Sequence, residues 1–277
     1  MNTERIEMMG CVIDNLSMEE TLQVVEGFIA SGAPHQHVVV NVDKLVKAQR
    51  DPGLRQIVND CALVNVDGMP VVWASRLLGR PLKERVTGVD LFDALMARAA
   101  HKGWRVYLLG ATEAVITEVR ARYAARFPQL QFAGCRNGYW QPEEEAQVVA
   151  DIAAARADLL FVAISSPKKE RFLGAHQAAM RVPFAMGVGG SFDVVAGKVR
   201  RAPRWMQQAG LEWFFRFLQE PRRMFRRYFI EDLAFAGLMW QEWRRTRSLA
   251  SAGAAPAAVN THTPCAAPIG AEKPLQR

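Results

Sequence analysis

Short, almost unbroken apolar runs alternate along much of the chain with longer stretches whose apolar residues recur every three or four positions. The runs are HVVVNV at 37–42, ALVNV at 62–66, WRVYLLG at 104–110, LLFVAI at 159–164 and PFAMGVG at 183–189. Rich in Val, Leu and Ile and with little polar alternation, they predict parallel strands covered on both faces. The stretches between them, such as 112–127 and 142–155, are long enough for crossover helices. Together they predict an α/β fold, a wound and mainly parallel Rossmann-like sheet with helices on both faces. Ahead of the first run, IEMMGCVIDNLS predicts a small antiparallel strand pair, with Ser17 capping a helix over 18–30.

Near Ala202 the pattern changes: strands stop, and helical, arginine-rich and aromatic sequence continues to about Arg247. Pro221 suits the first turn of a helix, so two helices meeting at QEP are expected there rather than one. Beyond Arg247, an Ala, Pro, Ser and Thr composition predicts a disordered tail. The expected organisation is an α/β core over 1–201, a basic amphipathic helical appendage over 202–247, and a tail over 248–277.

Composition alters this picture in two ways. A formal net charge of +7 favours an anionic partner, whether nucleic acid, a phosphorylated substrate or a lipid surface. Cys11, Cys61, Cys135 and Cys265 form no CxxC pair and read as reduced thiols. The start MNTERIEMMG lacks the basic-then-apolar pattern of a signal peptide, and no run approaches the ~18 apolar residues that a bilayer span needs. A cytoplasmic protein with at most peripheral membrane contact is therefore expected.

Ligands of wound sheets sit at the carboxyl ends of the strands, so the residues following each run are the candidates for chemistry. They include Asn41 and Asp43 in NVDK, Asp67 and Gly68 in VDGMP, Gly110 and Thr112 in GATEA, Ser165 and Ser166 in SSPKKE, and Gly187, Gly189 and Gly190 in GVGGSFD. The last three loops suit phosphate: helix starts expose N–H groups, and small residues permit close approach. Each also reads as an ordinary turn or cap, and neither GxGxxG nor GxxxxGK[ST] is present. Asp67 follows a buried strand and could act as a general base toward a hydroxyl, or simply cap the helix beginning at Pro70. Arg85 in KERVTGVD offers a guanidinium to a phosphate or carboxylate. His35 and His37 share a strand face but lack a third ligand, and read as structural; no metal site is expected.

Taken in order, VDGMPVVWASRLLGRPLKERVTGVDLFDAL, VYLLGA, GYW, SSPKKERF and GVGGSFDVVAGKVRRAPRWMQQAGLEWFFRFLQEPRRMFRRY resemble the WecG/TagA/CpsF family of bacterial glycosyltransferases, glycosyltransferase family 26. The resemblance spans about Ile6 to Trp243. It implies inverting, metal-independent transfer from a UDP-sugar to a polyprenyl-diphosphate-linked saccharide, on the inner face of the bacterial cytoplasmic membrane, in surface or exopolysaccharide biosynthesis. By motif it makes Asp67 the general base, with Asn41 placing sugar or acceptor and Arg85 binding donor phosphate or sugar. Tyr139 and Asp193 fall in segments implied to lie near the nucleotide, and Arg216, Arg223 and Arg226 would reach the diphosphates from an appendage docked over the site. Two positions depart from the family pattern: Val39 replaces a frequent Thr, and Lys169 a frequent Gln. A cation at Lys169 points toward an anionic donor such as UDP-glucuronate rather than UDP-N-acetylmannosamine.

The apolar residues Phe214, Phe217, Leu218, Met224, Phe225, Tyr228 and Phe229 recur at helical spacing beside an arginine cluster, as on a helix lying at an anionic membrane surface. Two other classes compete. A nucleotide- or NAD-dependent oxidoreductase would need a glycine fingerprint after the first strand, which NVDKL lacks. A basic nucleic-acid or membrane adhesion module would not need polar sheet-edge loops, so no nucleic-acid partner is expected. A homo-oligomer is left open by the residues.

Overall fold

The computed structural model describes residues 4–219, 221 and 233–251. Six parallel strands form the central sheet, in the order β4 (Leu63–Val66), β3 (His35–Val40), β8 (Phe184–Gly187), β7 (Leu159–Ala163), β5 (Arg105–Gly110) and β6 (Gln131–Arg136). A separate antiparallel pair, β1 (Arg5–Met8) and β2 (Cys11–Asp14), precedes it. The five strands expected from apolar runs are present, and β6 is added. Gln131–Arg136 is an edge strand with no fully buried residue, so it carries no continuous apolar run to betray it.

Side chains alternate between the two faces, as the strand period requires. Val106 and Leu108 of β5, with Leu159 and Phe161 of β7, enter one core, together with α1 (Met18–Ser31), α5 (Gly88–Lys102), α6 (Glu113–Arg126) and α9 (Ser191–Val195). Tyr107, Leu109, Leu160 and Val162 face the other side, under α7 (Glu145–Ala155) and α8 (Lys168–Met180). That second side continues over β3 and β4 beneath α2 (Val42–Arg50), α3 (Pro52–Asp60) and α4 (Met69–Leu77). Ser17 caps α1 in a full capping box with Glu20, as its spacing predicts.

Past the sheet, α10 (Arg204–Gln208) and α11 (Glu212–Gln219) begin the appendage. The junction at QEP, together with Met224, Phe225, Tyr228 and Phe229, lies outside the described residues. The chain returns as α12 (Leu233–Ser251), which continues past the helix end expected at Arg247. This helix packs on the body: Phe235 is buried among residues of β1, α2 and α4, and Arg245 pairs with Glu7 at 3.2 Å. The far half of the appendage is thus part of the core's second face.

His37 shows why the paired histidines are structural. Its ring lies buried against Phe184, with Nε2 2.9 Å from the Asn65 side-chain oxygen, while His35 stacks on Phe28. Burial pushes the His37 pKa down to about 4. Below its ordinary value of 6.5 the unfolded chain takes up a proton that the folded chain refuses, so stability is lost as pH falls toward 4. Between about pH 7 and about pH 4.5, this one group should remove about 2–3 kcal/mol of unfolding free energy. Chemical denaturation at both pH values should show the loss reduced by that amount in His37→Gln; an unchanged pH dependence would assign the loss to other groups.

Candidate active site

Every strand of the parallel sheet ends at the same edge, and each of the expected loops begins there. From β3 the chain turns outward to β4, and from β5 outward to β6, so the connections part on either side of β8 and β7. Such a divergence leaves a crevice at the carboxyl edge.

A cavity of about 120 Å³ opens at the β3 and β4 end. Asn41, Asp43, Asp67 and Arg85 contribute its polar lining, with Thr87, Met69, Pro70, Val89 and Trp213 around them. Asn41 caps α2, its side-chain oxygen accepting from the Lys44 N–H at 2.9 Å; this leaves the carboxamide nitrogen as its remaining polar function. Asp67 is held at the strand end by its own N–H, which donates to the Val40 carbonyl at 2.8 Å. Next to it Gly68 adopts φ 126°, a conformation reserved for glycine, and takes the N-cap position of α4. Asp67 therefore precedes the cap, at the cavity wall, rather than occupying it. Arg85 arrives from the loop before α5. Three residues expected to act together, separated by up to 44 positions in the chain, meet in one cavity.

Glu212 and Trp213 of α11, with Gly210 just before it, form the cavity's remaining wall. Gly210 fits so closely against Met69 and Trp73 of α4 that a Cβ there would approach the Met69 Cγ to 2.7 Å. Glu212 joins Arg85 at 3.2 Å and Arg201 at 3.3 Å. Arg201 in turn holds both oxygens of Asp90, which accepts from the Thr87 hydroxyl at 2.6 Å. Burial pushes the Asp90 pKa up, but hydrogen bonds from Arg201 and Thr87 outweigh it and keep the carboxyl below its ordinary range. Sequence reading missed this network because its ion pairs join residues 11 to 127 positions apart.

The other candidates gather further along the edge, away from the lining of that cavity. Gly110 is buried at φ 121°, and a Cβ there would come within 2.5 Å of the Ala163 carbonyl oxygen; packing of β5 on β7 already demands glycine. The Gly138 N–H donates to the Ala111 carbonyl at 2.9 Å, which brings the loop carrying the exposed Tyr139 beside Gly110. Ser165 is exposed at the end of β7, and Asp193 lies half-buried in α9. Lys169 runs beneath the loop after β8, its methylenes so close to Gly187 that a Cβ would meet them at 2.8 Å, and its ammonium near Gly189. Arg216 lies in α11, whereas Arg223 and Arg226 lie outside the described residues.

Below Lys169 is a buried charge cluster. The Lys44 ammonium donates to the Val39 carbonyl and to Glu170, both at 2.8 Å, and Lys169 stands 3.4 Å from the same Glu170 oxygen. Burial and then Lys44 push the Lys169 pKa down. Burial pushes Glu170 up, but Lys44 and Lys169 prevail and keep it ionised. Two ammonium groups share the Glu170 carboxylate beneath the glycine-rich loop, with Asp43 close enough to act on Lys169. A lysine at a helix's apolar period, Lys44, gives no sign in the sequence of being buried.

Asn41 directly follows β3, so α2 starts without a glycine turn for a pyrophosphate, against the oxidoreductase reading. Among the described residues, no group of three or more His, Cys, Asp or Glu side chains is placed to hold a metal, and no helix is long and apolar enough to cross a membrane. Comparison with known proteins matches residues 6–249 to the model of the glycosyl transferase WecG/TagA/CpsF family. A relative from Bacillus spizizenii is 37% identical over 187 residues, covering 67% of this chain and 72% of its own length. Another, from Bacillus subtilis, is 33% identical over 207 residues, covering 75% and 80% respectively. Both are named N-acetylglucosaminyldiphosphoundecaprenol N-acetyl-beta-D-mannosaminyltransferase. With its motifs in order along nearly the whole matched length and its site at the carboxyl edge of the sheet, the chain belongs to the WecG/TagA/CpsF family of glycosyl transferases.

Proposed function

We propose that the Asp67 cavity is where a sugar passes, with inversion, from a UDP-sugar to a polyprenyl-diphosphate-linked saccharide. The observation that carries this reading is the meeting of Asn41, Asp67 and Arg85 from three separate segments in one cavity at the sheet's carboxyl edge. The relatives' names supply a diphosphate-linked lipid acceptor. In this reading Asp67 takes the proton of the acceptor hydroxyl as its oxygen bonds to the anomeric carbon, and the bond from that carbon to the UDP oxygen breaks. Asn41 orients the sugar or acceptor, and Arg85 receives the diphosphate. Gly110, Tyr139, Ser165, Gly187, Gly189 and Asp193 lie along the same edge and are assigned to the nucleotide side, with Arg216, Arg223 and Arg226 reaching the phosphates from the appendage.

The leaving diphosphate carries charge that guanidinium and ammonium groups can stabilise, so no metal is assigned to the reaction. The enzyme is placed on the inner face of the cytoplasmic membrane. Exposed Trp73 and Leu77 on α4, Trp205 on α10 and Phe214 and Leu218 on α11 supply apolar surface, on helices of which α4 and α11 also line the cavity, for peripheral contact with an anionic bilayer. A homo-oligomer is compatible with this placement.

Lys169 bears on the donor. The Lys44, Glu170 and Lys169 cluster sets two ammonium groups on one carboxylate, and a sugar carboxylate would add a further negative charge beside Lys169. A uronic acid donor such as UDP-glucuronate follows; the relatives' names favour N-acetylmannosamine instead.

Asp67→Asn should lower turnover by about 100-fold or more with an unchanged fold by circular dichroism. Near-normal activity of that variant would remove Asp67 from the mechanism. With both donors offered beside the lipid-diphosphate acceptor, turnover should be faster with UDP-glucuronate; strict preference for UDP-N-acetylmannosamine would overturn the role given to Lys169. Activity should also survive excess EDTA, and a loss restored by a divalent cation would contradict the metal-free reading.

A further inference from the structure

We propose that Arg85 and Arg201 form a two-guanidinium clamp for a phosphate group, and that Glu212 is an internal carboxylate which occupies this clamp until the phosphate displaces it. The inference rests on the reading of the cavity as a diphosphate site. It adds Arg201 as a binding residue and Glu212 as the residue that sets affinity.

The geometry has three parts. Glu212 gives one oxygen to each arginine, to Arg85 at 3.2 Å and to Arg201 Nε at 3.3 Å. A carboxylate bridging two guanidinium groups presents its oxygens much as a phosphate would, because the arginine fork accepts either anion. All three side chains are largely withdrawn from solvent, and Arg85 and Glu212 both line the cavity that holds Asp67.

The two ends of the network are held with unequal firmness. Arg201 is anchored by Asp90, whose two oxygens accept from Nη1 and Nη2, the second at 2.7 Å. Asp90 is itself fixed by Thr87 at the start of α5. This leaves the Nε edge of Arg201 turned to Glu212. The contacts of Glu212 to Arg85 and Arg201 are longer, one atom pair each, and its backbone belongs to the appendage instead of the sheet. When a phosphate arrives, Arg201 remains in place on Asp90 and Arg85 on its loop, while Glu212 yields. The diphosphate as a whole carries at least two negative charges against one on the carboxylate it replaces, so the exchange favours it between two cations.

Glu212 thereby lowers the affinity of the empty site for anions, since part of the phosphate's binding free energy is spent on displacing it. The residue also excludes singly charged anions, such as chloride or a lone carboxylate, which gain nothing over Glu212.

The test is titration of the full-length protein with inorganic pyrophosphate and with UDP by calorimetry, in wild type, Glu212→Gln, Arg201→Gln and Arg85→Gln, with thermal unfolding as a check on each. Glu212→Gln should bind both ligands about fivefold or more tightly, as the competing ion pairs are removed. Arg201→Gln, made in the Glu212→Gln background so that Glu212 is not left facing a lost arginine, should weaken binding by about tenfold, with thermal unfolding separating this from the loss of the Asp90 pairing. Unchanged or weaker binding in Glu212→Gln, with wild type binding normally and Arg85→Gln impaired, would overturn the clamp while leaving the diphosphate site standing. Absence of pyrophosphate and UDP binding in every variant would overturn both.

Discussion

A strand in a parallel sheet can be followed only by a connection that leaves from the sheet's carboxyl edge, and this constraint arranges the rest of the molecule. Six strands of one direction bring six chain exits to one side. Because both faces are covered by helices, the strands' interiors are committed to packing, and Phe161 and Phe184 are fully buried. Polar and glycine residues are therefore pushed to that edge. Asn41, Asp67, Gly110, Ser165 and Gly187 reach it from five different strands, although no short motif connects them. The chemistry of the site follows from the sheet's polarity as much as from any individual residue.

The same edge explains where charge can be buried. Lys44 lies in the first half of α2 and Glu170 near the start of α8, two helices whose N-termini meet the sheet's carboxyl edge. Isolated, either charge would be costly to remove from water; paired at 2.8 Å with a carbonyl nearby, they offset each other. Lys169 then adds a second ammonium that the carboxylate cannot fully neutralise. A positive charge kept under a glycine-rich loop is a poor choice for stability alone, since apolar residues of the same volume pack without that cost. Its placement beside Gly187 and Gly189 makes sense for a site that receives an anion.

How much of this was legible depended on range. Doubly buried strands write themselves as apolar runs, so β3, β4, β5, β7 and β8 could be read directly, whereas β6, at the edge and half-solvated, could not. Ser17 and Thr112 could be read as caps because a cap needs only residues within one turn, whereas Asn41, read as a site residue, proved to cap α2 as well. Asp67 and Arg85 were accessible through the rule that ligands gather at strand ends, together with the resemblance carried by the motifs around them. The partners that complete the site were not. Glu212 meets Arg85 across 127 positions and Arg201 meets Asp90 across 111, distances over which no periodicity survives. In the stretch LEWFFRFLQ, helical spacing draws attention to the aromatics, and the single carboxylate at its head carries the contact to the cavity.

That carboxylate changes the meaning of the appendage. On α11, Glu212 and Trp213 line the cavity, while Phe214 and Leu218, one turn apart, are exposed. One short helix thus turns a carboxylate and an indole to the cavity and apolar side chains to the outside. Eight residues cannot hold a stable helix in water by themselves, so α11 keeps its place through tertiary contacts: Gly210 against Met69 and Trp73, and Glu212 against two arginines. Weakening the second contact by an arriving phosphate, or covering the outer side with lipid, acts on the same small element. On the proposed reading, in which the acceptor carries its diphosphate on a lipid, one helix facing both groups would give the site a physical means of responding to substrate and surface together.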